Sequence, residues 1–289
     1  MLERITHHGV GIGHRHEIAK GIMTNTESIP CVEIIAERYM GKYANLRQLR
    51  ELSEAFKVVP HGVSLSIGSD VLDHEHLKRV KMVCDIANAE YFSDHLCVTK
   101  VPGINFGHLC PMQFTEASLE KTIANVQFVQ EFIERPLVLE NITYNLCIPQ
   151  STIDQTQFFK MLTEETNCGV LLDVTNVHTN SHNHGFDAKR FIDSMPLGHV
   201  VQVHLAGGFY TPEDALIDSH SMAIEPASLE LFEYVNDRCD IRTVIIEHDN
   251  NFPEDFSFFL DELKIARAVY QKEKHWKTLY NEVSTRYAA

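Results

Sequence analysis

The stretch Gly169-Val-Leu-Leu-Asp-Val-Thr-Asn176 decides the fold. Gly169 and three aliphatic residues run without interruption into Asp173, and Asn176 follows one short turn later. An apolar run of this length, bounded by polar turn residues, is the pattern of a strand buried on both faces, as in a parallel sheet covered by helices. Packing alone does not explain a carboxylate at its carboxyl end, because a desolvated and unpaired charge costs several kcal/mol. Asp173 therefore requires a cation.

The same design, an apolar run ending in His, Asp or Glu, recurs along the chain. Strand patterns are read at Gly9-Val-Gly-Ile-Gly13, Cys31-Val-Glu-Ile-Ile35, Val58-Val-Pro-His61, Tyr91-Phe-Ser-Asp-His-Leu96, Pro136-Leu-Val-Leu-Glu-Asn141, the stretch ending at Asp173, Val200-Val-Gln-Val-His-Leu205 and Thr243-Val-Ile-Ile-Glu247. Helical spacing lies between them: Leu46, Leu49, Leu52 and Phe56; Leu72, Leu77, Val80 and Cys84; Leu119, Ile123, Val126 and Val129 behind the cap candidate Thr115. Residues 154–166 and 255–272 are two further helices. Eight strands alternating with helices predict one α/β unit, a (β/α)8 TIM barrel over residues 1–272, with 273–289 a mixed-charge tail expected to fray. The glycines at 9, 11 and 13 resemble a dinucleotide fingerprint, but His14 or His16 occupies the third glycine position, so that mechanism fails.

The formal charge of −15 argues against a nucleic-acid binder, whose footprint would be basic. No apolar run is long enough to span a membrane and no secretory signal is visible, so a cytoplasmic protein without a membrane partner is expected. Seven cysteines without a C-x-x-C pair fit reduced thiols.

The strand-end residues His61, His95, Glu140, Asp173, His204 and Glu247 stand 34, 45, 33, 31 and 43 residues apart, each gap about one β/α unit. In a barrel that spacing returns the chain to the same mouth every time, so the six side chains converge at the carboxyl ends of the strands. Two loops are expected to add ligands there, one holding Asn176, Asn183 and His184, the other Asp218-Ser-His220. Imidazole and carboxylate without thiolate suit iron, manganese or zinc. Glu33, His7, His8, His14, His16, His178 and His248 lack this support and are expected at the surface or behind the ligands.

The motifs His61-Gly-Val63, Ser93-Asp-His-Leu96, Leu139-Glu-Asn141, Leu171-Leu-Asp-Val-Thr-Asn176, Asn183-His-Gly185, His204-Leu-Ala-Gly207, Ile217-Asp-Ser-His220 and Ile246-Glu-His-Asp249 resemble, in order, those of the DUF692 family of multinuclear non-heme iron-dependent oxidative enzymes. The resemblance spans roughly residues 9–253, with His248 standing where the family usually has an aromatic residue. It implies a xylose-isomerase-like TIM barrel holding two to three iron ions (Fe2+/Fe3+), with O2 as co-substrate and zinc or manganese as alternative metals. One ion would take His61, His95 and Glu140. A second would share Glu140 and take Asp173, His204 and Glu247, and a third would take Asn176, His184, Asp218 and His220. Glu140, Asp173 and His204 would carry the catalysis. The implied substrate is a cysteine in a ribosomally synthesised precursor peptide, presented with a small leader-binding partner protein.

The residues themselves fit that chemistry. Four carboxylates (Glu140, Asp173, Asp218, Glu247) against three divalent ions leave excess positive charge, which favours an incoming thiolate. Asp94, beside His95, is either an orienting partner of that ring or a plain structural hydrogen-bonder. The alternatives on the same barrel are a divalent-metal hydrolase of the apurinic-endonuclease type, a sugar isomerase or epimerase, and a non-catalytic metal-binding module.

Overall fold

The computed structural model describes residues 1–101, 103–146 and 148–287. The strands are β1 (Gly9–Gly13), β2 (Cys31–Ile35), β3 (Lys57–His61), β4 (Phe92–His95), β5 (Val98–Val101), β6 (Ile104–Cys110), β7 (Leu137–Glu140), β8 (Gly169–Asp173), β9 (Val200–Leu205), β10 (Phe209–Tyr210), β11 (Leu216–Ile217) and β12 (Thr243–Ile246). Eight of them close a parallel barrel in the order β1-β12-β9-β8-β7-β4-β3-β2. The expected (β/α)8 architecture is therefore the observed one. β5 with β6, and β10 with β11, form two antiparallel hairpins over the mouth, where a loop was expected for the first.

The helices are α1 (Ala19–Thr24), α2 (Leu46–Ala55), α3 (His74–Ile86), α4 (Glu116–Ile133), α5 (Gln155–Thr166), α6 (Val174–His184), α7 (Ala188–Ser194), α8 (Pro226–Asn236), α9 (Ser257–Tyr270) and α10 (Trp276–Tyr287). The Thr115 hydroxyl caps α4 by accepting from the Ser118 N–H at 3.2 Å, and Asp154 caps α5 through Gln157 N–H at 2.9 Å. Among the described residues no helix is long and apolar enough to cross a membrane. Six of the seven cysteines are free, and Cys147 lies outside the described residues.

Apolar surface is buried in two places. The larger cluster fills the layer between strands and helices. The smaller, Ile5, Val59, Tyr91, Val138, Leu171 and Val201, plugs the barrel from the amino ends of its strands. The stretch expected to fray forms α10 instead, pinned by buried Trp276, Leu279 and Val283 at helical spacing, with Trp276 Nε1–H donating to Glu233 at 2.9 Å. Its last two residues, 288–289, lie outside the described set.

The glycines of β1 serve packing rather than nucleotide binding. A Cβ on Gly11 would stand 2.1 Å from the Cys31 carbonyl oxygen of the neighbouring strand, a contact that backbone cannot yield. Gly11→Ala should therefore destabilise the protein by about 1–3 kcal/mol or more. Gly41→Ala, with nothing within 4 Å, should stay within about 0.5 kcal/mol of wild type. Urea unfolding checks both; equal midpoints for the two variants would refute the packing role.

Candidate metal centre

Parallel register brings the strand ends together. His95 pairs with Glu140 across β4 and β7, and Asp173 with His204 across β8 and β9. These residues, with His61 and Glu247, are buried at the mouth, none more than 7% exposed. Glu140 Oε2 is central. It stands 3.5 Å from His61 Nε2, 3.4 Å from His95 Nε2 and 3.7 Å from His204 Nδ1. Four groups of potential ligand atoms share members: His61, His95 and Glu140; Glu140, Asp173 and His204; Asp173, His220 and Glu247; and Glu33, His204 and Glu247.

The donor set fits metal ions on two counts. Atoms bound at 2.0–2.2 Å to one tetrahedral or octahedral ion stand about 3.0–3.6 Å apart, which matches the spacing around Glu140. Further, Glu140 Oε2, Asp173 Oδ2, Asn176 Oδ1, His204 Nδ1, Asp218 Oδ1 and His220 Nε2 are all buried without a hydrogen-bond partner. Buried polar atoms are ordinarily paired. Six such atoms converge on one mouth, where the contacts run between ionisable groups, such as Asp218 Oδ1 and His220 Nε2 at 2.8 Å, and the groups they form could hold a metal ion.

The acids and imidazoles of the mouth compensate one another. Burial pushes Glu140 up to about 7 against the pull of His95 and His204. Asp173 is raised well above the carboxylate range by burial and by the charges of Glu140 and Asp218. Burial opposes charge on His204 and His220, but Glu247 and Glu33 outweigh it at His204, and Asp218 and Glu247 at His220, so both are raised. His95 rises to about 9, burial again being outweighed by Glu140 and Asp94. His61 is lowered, by burial and then by its imidazole neighbours. Arg15, 3% exposed, reaches in from the loop after β1, with Nε 2.5 Å from Asp249 Oδ1 and Nη2 3.5 Å from Glu247 Oε1.

The segment after Asp173 departs from expectation. Residues 174–184 form helix α6 rather than a loop, because Asp173 Oδ1 accepts the Asn176 N–H at 2.7 Å as the amino-terminal cap and Gly185 ends the helix at φ 71°. Asn176, in the first turn, stays at the mouth and donates to Glu140 Oε1 at 3.3 Å. His184 sits eight residues further on, about 12 Å along the axis at 1.5 Å per residue. Its Nε2 bonds to the Tyr144 carbonyl at 2.7 Å and its ring stacks on that of Tyr144 at 4.4 Å. The group of potential ligand atoms on this side is Asp173, His220 and Glu247, beside Asp218, and among the described residues His184 falls in no such group. Asn183 clamps the β10–β11 hairpin through both Leu216 backbone groups.

Ser93 and Asp249 escaped the sequence reading, whereas Glu33 takes the second of the two places expected for it, behind a candidate ligand. Ser93 Oγ holds His61 Nδ1 at 2.9 Å, Glu33 Oε2 meets His204 Nε2 at 3.0 Å, and Asp249 Oδ2 meets His220 Nδ1 at 3.1 Å. Asp94 takes the structural role of its two: its oxygens accept backbone N–H groups of His95 and Leu65, while its distance to the His95 ring is 3.8 Å. His8, His14 and His248 are buried, not superficial. A cavity of about 270 Å³ opens above the ligands, lined also by Arg15, His108, Leu109 and Thr143.

This fold and mouth define a (β/α)8 barrel with clustered metal-ligating residues at its catalytic face. Within that class, the chain belongs to the family described as RiPP precursor modification enzyme MbnB/TglH/ChrH, which it matches over residues 9–271. It is 33% identical to a UPF0276 protein of Acaryochloris marina, covering 85% of this chain and 89% of the relative. A UPF0276 protein of Shewanella oneidensis is also 33% identical, over 92% and 95% of the two chains. Among solved structures, an L-ribulose 3-epimerase superposes with TM-score 0.58 at 13% identity, over 97% of this chain and 98% of its own. A xylose isomerase domain protein from Alicyclobacillus acidocaldarius gives 0.55 at 10%, over 94% and 99%. At these identities the likeness is one of fold, a xylose-isomerase-like barrel.

Two measurements test this description. His220→Ala should reduce the metal bound per chain, whereas His184→Ala should leave it unchanged; elemental analysis reporting equal losses would restore His184 as a ligand.

The loop bearing Asp218 and His220 is anchored further along by Ile224, whose N–H donates to Glu262 Oε1 at 2.7 Å. Burial raises the Glu262 carboxyl to about 8. The folded state therefore keeps a proton that the unfolded chain, with a carboxyl near 4.3, has released. Stability contributed by this group is present at low pH and is lost as pH rises from about 4.5 to about 8. Glu262→Gln should remove that loss, so metal-free variant and wild type should diverge across this window by on the order of a few kcal/mol. Parallel stability curves in urea at pH 5 and pH 8 would contradict it.

Proposed function

We propose that the protein is a multinuclear iron-dependent oxidative enzyme that modifies a cysteine of a ribosomally synthesised precursor peptide with O2. The observation that carries this reading is the set of overlapping ligand groups joined by Glu140 and Asp173, with orphaned donor atoms facing an open cavity. Membership of a precursor-modifying family supports the peptide. When bound, iron would supply positive charge for a substrate thiolate and the one-electron chemistry that O2 requires.

The chain's own residues do the rest. Glu140, shared by two ligand groups, fixes the spacing between them. His61 and His95 hold one end, and Asp173, His220 and Glu247 the other. The plugged lower barrel closes the site from below, so a substrate enters from the mouth alone. Beside the ligand cavity lies a cleft of about 520 Å³ that shares His108, Leu109, Thr143 and Asp218 with it. Tyr144, Leu146, Ile148, Leu216 and Ile217 give that cleft an apolar wall. Such a wall suits the side chains flanking a peptide cysteine better than a sugar, whose hydroxyls would be left without partners. A small leader-binding protein would deliver the peptide, in the cytoplasm where it is made.

After anaerobic loading with ferrous ion and exposure to air, wild type should consume O2 and change the mass of a cysteine-containing precursor peptide presented with its partner protein. Glu140→Ala should lose metal from two groups together and leave the peptide unchanged. Wild type that binds stoichiometric zinc, refuses iron and cleaves abasic DNA would replace this reading with the hydrolase one.

A further inference from the structure

Glu33 is a single acid in the apolar run Cys31-Val-Glu-Ile-Ile35, and it is 1% exposed inside the barrel, one layer below the ligands. Its Oε2 meets two nitrogens, Gln202 Nε2 at 2.6 Å and His204 Nε2 at 3.0 Å. An anionic oxygen flanked by two nitrogens at these distances accepts from both. The 2.9 Å between Gln202 Nε2 and His204 Nε2 is then the contact of two donors sharing one acceptor. With its hydrogen held on Nε2, the His204 ring turns Nδ1 toward the mouth. That nitrogen is buried, lacks a hydrogen-bond partner, and stands 3.1 Å from Glu247 Oε2 and 3.7 Å from Glu140 Oε2.

We infer that Glu33 is a positioning residue: it fixes the orientation of the His204 ring so that Nδ1, not Nε2, is the atom offered to metal. The inference rests on the metal-centre reading of the mouth. A carboxylate behind a ligating imidazole orients the ring and increases its basicity, and loss of such a partner ordinarily weakens metal binding about 10- to 100-fold. The position is also protected. The apolar cluster of Val59, Val138 and Leu171 fills the barrel below, and Glu33 itself is 1% exposed. Gln202 belongs to the same device and lies 2.9 Å from His204 Nε2, but its amide N–H donates to Glu33 and offers the ring no acceptor, which separates the two residues experimentally.

The test uses the full-length protein and zinc(II) in competition with a chromophoric chelator, which reads affinity without turnover. Glu33→Gln keeps the shape but removes the anionic acceptor. It should weaken one class of sites about 10- to 100-fold. Gln202→Met, which leaves the Glu33–His204 contact in place, should bind within about threefold of wild type, and the metal-free melting temperatures of the two variants should agree. If Glu33→Gln fails to fold, Glu33→Asp decides, since withdrawing the carboxylate by one methylene should also weaken binding measurably. Wild-type affinity in whichever Glu33 variant folds, or equal weakening in Gln202→Met, overturns the positioning role. Wild type that takes up no metal at all would instead defeat the metal-centre reading, an outcome seen before any variant is compared.

Discussion

The rest of the structure depends on the compensation of carboxylates buried at the barrel mouth. Glu140, Asp173 and Glu247 are at most 6% exposed, and Asp218 and Asp249 stand beside them. Arg15 is spent on Asp249 and Glu247. Water cannot solvate the cluster from beneath, because Ile5, Val59, Val138, Leu171 and Val201 fill the barrel there. Charges taken from water into such a place are tolerated only when paired and hydrogen-bonded. His95, His204 and His220 stand against these carboxylates, which raise all three imidazoles in spite of burial, and buried atoms left without a hydrogen bond, Glu140 Oε2 and Asp173 Oδ2 among them, belong to groups that could hold a cation.

That constraint explains why so much could be read from the sequence. A parallel barrel buries both faces of each strand, so its strands are apolar runs, and an acid or histidine ending one stands out. His61, His95, Glu140, Asp173, His204 and Glu247 were all found this way, and the structure gathers all six. The outer ligands were harder. Val174–His184 is rich in Asn, Thr and His, residues of modest helix propensity, and reads as a loop. Yet Asp173 followed three residues later by Asn176, with Gly185 at the end, carries both cap signals. Asp173 serves as cap with one oxygen and offers the other to the mouth. A residue so evidently a ligand candidate hid its second role, and His184 lies at the far end of the helix that this cap starts.

Other omissions have their own causes. Glu33 ends no strand, so the strand-end rule passed over it, although a lone acid in an apolar run is itself a signal of a buried partner. Asp249 follows Glu247 by two residues, and its use depends on the left-handed backbone of His220 (φ 47°), which pairs the carbonyl of His220 with Asp249 N–H at 2.7 Å. No spacing rule announces such a pairing. The helix at 276–287 was missed because its charged surface outweighed three core positions, Trp276, Leu279 and Val283, whose spacing of three and four does mark a buried face.

The backs of the four histidines show how far the protein prepares its mouth. His61 leans on a neutral hydroxyl, Ser93, and His95 on no side-chain atom within hydrogen-bonding distance of Nδ1. His204 and His220 lean on carboxylates, Glu33 and Asp249. The outer pair also faces Glu247 and Asp218, whereas the inner pair shares Glu140, with Asp94 Oδ1 3.8 Å from His95 Nδ1. The rings of His204 and His220 thus have a carboxylate at hydrogen-bonding distance behind them, and those of His61 and His95 do not. Imidazole basicity follows the charge of its hydrogen-bond partner, so equal ligand types at the two ends are unequal donors. The asymmetry belongs to the polypeptide: it is set by which residues stand behind the rings, one layer removed from any atom that a substrate would touch.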